Sequence, residues 1–188
     1  LKGARKAFDA GVDALVVEGV EGGGFKSLLA ASTMVLLPLV AEHVDLPIIA
    51  AGGICDARSA AAAVVLGAEG VQMGTRMLAS REAAVHANFK EAIVAADDAG
   101  TVLLDVPGNP TMRVLRTGLA RRIAADDATT GLLGGVTTLY FDGDMEASVA
   151  NTGQVSSRIA EILPVADVIR STWDGARDAL SAAAARLG

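Results

Sequence analysis

The chain is short of the residues that would let it work in several familiar ways. One cysteine, Cys55, excludes an internal disulfide and fits a reducing cytoplasm. Placed directly after Gly52-Gly53-Ile54, it reads as a spectator thiol, because no histidine lies near it in sequence to activate it. There are two histidines, His43 and His86, and aromatic residues make up 3% of the chain. Lysine and arginine are outnumbered, 16 against 22 acidic residues, and no basic cluster could displace counterions from nucleic acid. The one basic doublet, Arg121-Arg122, reads as a solvated helix face. Long apolar runs are missing too. Met34 to Ala41 is too short to span a bilayer and contains Pro38, so no membrane span is expected.

What remains is rich in Ala, Val, Leu and Gly. Hydrophobic residues make up 52% of 188, enough for one good-sized folded domain, or a large piece and a small one. Two glycine-bearing strand ends dominate the pattern: Pro47-Ile48-Ile49-Ala50-Ala51-Gly52-Gly53-Ile54 and Gly70-Val71-Gln72-Met73-Gly74-Thr75-Arg76. A strand that stops at glycine lets backbone N–H groups approach a ligand, and the following helix start adds partial positive charge. Each motif alone is also compatible with a plain strand-to-helix turn. Two on consecutive βα units point to a phosphate cradle of the kind found after strands 7 and 8 of a (β/α)₈ barrel, next to a short helix.

Along the chain, Asp13 to Val17 reads as a strand apolar on both faces. Ser32-Thr33 caps a helix carrying Val35, Leu36, Leu39, Val40 and Val44, Ile48 to Ala51 is a strand, and Asp56 caps Ala57 to Leu66, which Gly67 ends. With Gly70 to Met73 this gives βαβαβ order and a parallel sheet. A helix is expected over Arg81 to Asp97, a strand over Thr101 to Val106, a turn at Pro107-Gly108-Asn109-Pro110, and a helix over Arg113 to Asp127. Gly131 to Asp144 reads as a loop-dominated cap. A helix is expected over Gln154 to Ile162, and Pro164 opens a last one with Val165, Val168, Ile169, Trp173, Ala176 and Leu180 on one face. The domain boundaries expected are 1–98 for the larger unit, 99–163 for a cap or substrate domain, and 164–188 for a C-terminal helix packing back on the barrel.

Three stretches carry a family resemblance: Asp13 through Gly24, Pro47 through Ile54, and Gly67 through Arg76. Together they resemble the nitronate monooxygenase (2-nitropropane dioxygenase) family, whose pattern also embraces flavin-dependent enoyl-acyl-carrier-protein reductases. Gly143-Asp144-Met145-Glu146 and Gly153-Gln154 are similar to its small second domain. The resemblance implies an α/β fold: strands 6–8, the C-terminal part of a (β/α)₈ TIM barrel with FMN, plus a small, mostly helical second domain. It implies an FMN-dependent oxidoreductase that oxidises alkyl nitronates with O2 in the cytoplasm. Carried over by position, Glu18, Gly23, Gly53, Gln72, Met73, Gly74 and Thr75 are the cofactor-binding residues, with Thr75 adding a hydroxyl donor. Glu18 is divided between a ribityl contact and a structural strand-end bond.

Phe25 stands where the family resembled places its histidine, and phenylalanine accepts no proton. The catalytic group is therefore unassigned. A preformed nitronate needs no base, whereas an NAD(P)H-dependent reductase acting on an acyl thioester is the alternative, and a noncatalytic scaffold or regulatory subunit is another. A phosphate-binding barrel enzyme without flavin is a further reading. Lys26 is expected to be solvated, with attraction for a phosphate as the competing role. Three strands cannot close a barrel, and the chain opens at Leu1 without a methionine, so the first half-barrel is expected from the same cleaved polypeptide or a second one. The expected partners are that half-barrel, a small-molecule substrate and a homo-oligomer; nucleic acid and membrane are not among them.

Overall fold

A computed structural model describes residues 1–27, 29, 31–125 and 132–188. Its organising feature is a three-stranded parallel sheet formed by β1 (Leu15–Glu18), β3 (Ile48–Ala51) and β4 (Gly70–Gln72), in that spatial order. The register runs Leu15 against Ile48, Glu18 against Ala51, and Ala51 against Gln72. Because side chains alternate along a strand, Leu15, Val17, Ile48 and Ala50 face one side. There they pack with α2 (Thr33–Ala41), α3 (Ala57–Val65) and α7 (Val165–Leu187) into the largest apolar cluster. Burying Ile48 contributes about 1.5–3 kcal/mol.

The other face differs from expectation. Val16 is 54% exposed, so β1 is not buried on both sides. On that face Ala51 is buried, and the last row, Glu18, Ala51 and Gln72, stands at the carboxyl tips of the three strands.

Helix α3 starts as anticipated. Asp56 accepts from the Ser59 amide at 2.9 Å and Ser59 Oγ accepts in return from the Asp56 amide, a reciprocal capping box. Gly67, at φ +102°, follows it. Helix α2 is capped differently: Ser32 makes no side-chain cap bond, and the Glu21 carboxylate accepts from the Thr33 amide at 3.0 Å. The last helix turns Val168, Thr172 and Ala176 inward, leaving Ile169 and Trp173 half exposed. Small residues decide this face. Gly175 approaches α3 so closely that a Cβ would sit 2.9 Å from that of Ala57.

Past β4 comes the short α4 (Thr75–Leu78), and of the expected long helix over Arg81 to Asp97 only α5 (Ala87–Val94) is helical, with His86 as its N-cap. The expected helix from Arg113 is instead β6 (Met112–Leu115), followed by α6 (Gly118–Ala124); the remainder of that expectation lies outside the described residues. The expected strand at Thr101 is present as β5 (Thr101–Leu104), and it pairs antiparallel with β6 across the Pro107–Pro110 turn. The third strand, β2 (Gly24–Phe25), comes from the loop after β1 and pairs with the other side of β6. All four residues of β6 are buried, and partners distant in sequence override its helix-like spacing. The stretch 99–163 is therefore mixed rather than mostly helical. Within it, the expected cap loop contains a π-helical turn, Thr138–Asp142, whose Tyr140 meets Phe89 edge to face at 4.9 Å. Farther on, the expected helix from Gln154 is a short 3₁₀ segment, Gln154–Arg158.

Candidate phosphate cradle at the strand tips

The carboxyl tips of β1, β3 and β4 enclose a cavity of about 230 Å³. Its walls are Glu18, Glu21, Gly22 and Gly23 after β1, Ala51 to Ile54 after β3, and Gln72, Gly74, Thr75 and Leu78 at the tip of β4. Asn151, Gly153 and Val155 close it from the opposite side.

The glycines have separate reasons. Gly52 and Gly53 lie at φ +80° and +78°, a region that side chains disfavour. A Cβ on Gly23 would come within 2.6 Å of the Thr152 backbone, so that glycine permits a close chain crossing. Gly74 is different. Its φ is −80°, and a Cβ there would meet no protein atom within 4 Å. The backbone does not require glycine at this position, and the space beside it is open. Neither the Gly53 nor the Gly74 amide donates to a protein acceptor among the described residues. Thr75 Oγ1 accepts from the Gly153 amide at 2.8 Å, which leaves its own proton free to donate.

Six of the seven residues expected at a cofactor site line this cavity: Glu18, Gly23, Gly53, Gln72, Gly74 and Thr75. The Met73 side chain instead joins the apolar cluster beneath α7, 4.0 Å from Thr172 Oγ1 at its sulfur. Arg76 also turns away and is buried, donating to the Ala79 and Glu161 carbonyls.

Two carboxylates on the wall would repel an anion if left alone. Glu21 is spent on the Thr33 amide and hydroxyl, and its own carbonyl accepts from Gln154 at 2.9 Å. Glu18 is neutralised by Lys26, whose Nζ lies 2.8 Å from Oε1. The Lys26 side chain is only 4% exposed, so the expectation of a solvated lysine is corrected. The alternation along β2 turns Phe25 outward and sends the next side chain in.

Sequence reasoning gave no site role to Glu21, Asn151 or Gly153: Asn151 has no motif around it, and the stretches that hold Glu21 and Gly153 do not show that these two residues meet at the cavity. Asn151 Oδ1 is buried without a hydrogen-bond partner among the described residues, an acceptor suited to a ligand N–H. The buried Arg113, expected on a helix, ties the β1 loop to β6 by donating to the Val20 carbonyl at 2.8 Å. Burial draws its guanidinium below the usual range, and Glu21 opposes that.

The remaining candidates for proton chemistry stand apart. Phe25 is 58% exposed and lines a neighbouring groove with Glu18 and Lys26, outside the cradle. His43 is bonded to the Leu39 carbonyl, and His86 caps α5. Cys55 is buried and its thiol is pushed up, first by burial and then by Asp56, so it stays protonated and unreactive.

Parallel strands whose glycine-bearing carboxyl tips share one end have the arrangement of the carboxyl-terminal face of an α/β barrel, where the sites of such enzymes lie. The sequence model of the nitronate monooxygenase family matches residues 1–174, and the chain belongs to that family. It is 41% identical over 133 residues, 70% of its length, to (3aS,4S,5R,7aS)-5-hydroxy-7a-methyl-1-oxo-octahydro-1H-indene-4-carboxyl-CoA dehydrogenase of Rhodococcus jostii strain RHA1. It is 48% identical over 90 residues, 46% of its length, to the nitronate monooxygenase npaC of Metarhizium robertsii. The matched parts cover 37% and 25% of those proteins. Among solved structures, FabK from Thermotoga maritima superposes with a TM-score of 0.90 at 38% identity, over 97% of this chain and 60% of that one. The nitroalkane oxidase from Streptomyces ansochromogenes gives 0.81 at 28%, over 96% and 56%. The chain thus has the fold of a little over half of a barrel enzyme of this family. No helix among the described residues is long and apolar enough to cross a membrane.

Proposed function

We propose that this chain is the cofactor-anchoring part of an FMN-dependent oxidoreductase of the nitronate monooxygenase type, oxidising alkyl nitronates with O2 in the cytoplasm. The observation that carries the reading is the pair of open amides at Gly53 and Gly74, with open space beside Gly74. The residues fit the group. Gly53, Gly74 and Thr75 would hold its phosphate with two N–H donors and a hydroxyl, and Asn151 offers an acceptor to an N–H. Gly23 and Gln72 complete the wall. Bound FMN supplies the electron transfer and oxygen chemistry.

The chain's own residues bind and shield. Glu21 and Arg113 lock the loop over β1, and Lys26 cancels the charge of Glu18 beside the anion. A cavity of about 230 Å³ is smaller than a small-molecule site of roughly 300–1,000 Å³. The rest of the flavin pocket, in this reading, comes from the half-barrel that would pair with the free edges of β1 and β4 and cover Val16.

A second reading has its own support. With Phe25 in place of a base, a neutral nitroalkane would not be deprotonated by that residue, and a relative aligned over 70% of the chain acts on a carboxyl-CoA. An acyl thioester, with NAD(P)H as electron source, is therefore the alternative substrate class. The complete protein, half-barrel included, reconstituted with FMN and then mixed with ethyl nitronate and O2 or with NADH, NADPH and crotonyl-CoA, separates the two. Nitronate turnover without bleaching of the flavin by either nicotinamide supports the first reading. Bleaching followed by thioester-dependent reoxidation supports the second, and protein that takes up no FMN refutes both.

A further inference from the structure

The Lys26–Glu18 pair is built more deliberately than charge cancellation needs. Lys26 is the fixed member: its side chain is 4% exposed, and its strand is anchored by the Lys26 amide donating to the Thr111 carbonyl at 2.8 Å. Glu18 is the loose member, 42% exposed, lining both the cradle and the neighbouring groove that holds Phe25. Gly22 makes room for them, since a Cβ there would run into the Glu18 carboxylate and reach 2.9 Å from Lys26 Nζ. An ammonium carries three donors, and Glu18 is the one protein partner of this one among the described residues.

Resting on the reading of the cradle as the cofactor site, we propose that Lys26 is the substrate-anion site of this enzyme and Glu18 its displaceable counterion. A planar anion such as a nitronate or carboxylate takes the place of the Glu18 carboxylate on Nζ, and Glu18 swings towards solvent. A neutral molecule of the same shape gains nothing by that exchange, because it would leave a buried ammonium without its partner. The pair therefore selects charge at a site that lacks the histidine. No covalent bond forms or breaks in this step, and no proton moves.

The test uses the FMN-loaded complete protein, half-barrel included, and two unreactive probes of matched shape, butanoate and butanamide, with binding read from the perturbed visible spectrum of the flavin and from calorimetry. The wild type is expected to prefer butanoate at least tenfold. Lys26→Met removes the preference, Lys26→Arg retains it within about threefold, and Glu18→Gln strengthens butanoate binding at least threefold. A Lys26→Met protein that holds FMN and still prefers butanoate overturns the inference alone. A wild type that binds no FMN overturns the functional reading beneath it as well, and equal binding of the two probes by a flavin-loaded wild type overturns the inference. Should Lys26→Met lose its flavin or fold, the selectivity of Lys26→Arg and Glu18→Gln decides: unchanged butanoate affinity in Glu18→Gln rejects the displacement.

Discussion

Where the two sheets meet, the parallel one offers bare backbone to the cavity and the antiparallel one, with its loops, holds the enclosing walls by side-chain bonds. Gly53 and Gly74, after β3 and β4, present amides with no protein acceptor among the described residues. Arg113 on β6, by contrast, is consumed in donating to the Val20 carbonyl, and Gly153 in donating to Thr75. Glycine accordingly means different things on the two sides. Gly74 faces open space and Gly23 faces the Thr152 backbone. At the cavity wall, Gly74 leaves room for a ligand, while Gly23, pressed against the chain, permits a crossing.

The comparison can be broken by substitution. Gly74→Val is expected to weaken FMN by about 2–4 kcal/mol, the cost of leaving a charged group without its donors. It should leave the melting temperature unchanged, since no protein atom is in the way; unaltered flavin content in the purified variant would move the phosphate elsewhere. Phe25→His restores a proton acceptor, and turnover of neutral nitroethane relative to ethyl nitronate should rise by about a hundredfold, the lower end for a positioned base. An unchanged ratio would put this position out of reach of the substrate. Gly23→Ala should do the reverse of Gly74→Val, costing about 1–3 kcal/mol of stability through overpacking, visible as a lowered melting temperature. A smaller effect tests the outer layer, away from the cavity. Burial pushes the Asp56 carboxyl up, but hydrogen bonds from Ser59 and the charge of Arg158 prevail, so it lies below its usual range. Its stabilising contribution is present above pH about 4 and lost as pH falls through the native value. Asp56→Asn should flatten that part of the acid-stability curve, and an unchanged curve would show that the cap carries no pH dependence.

The parallel unit was legible because its signals are local. Ile48 to Ala51, the Asp56 cap and Gly67 follow one another within twenty residues, and each constrains the next. The antiparallel sheet was not, because β2, β5 and β6 come from separated stretches and β6 has the spacing of a helix. The same difference runs through the site. Gly53, Gly74 and Thr75 sit in recognisable turns, whereas Asn151 arrives by a crossing that no short motif encodes. Lys26 was misread for a further reason: two residues of strand suffice to reverse its direction, and so short a strand leaves no alternation to see.

A structure of the complete protein grown with FMN tests the central claim most directly. The account predicts the phosphate within about 3 Å of the Gly53 and Gly74 amide nitrogens, with the Thr75 hydroxyl as a third donor. A phosphate bound elsewhere, or strand tips filled by the protein's own side chains, would contradict it.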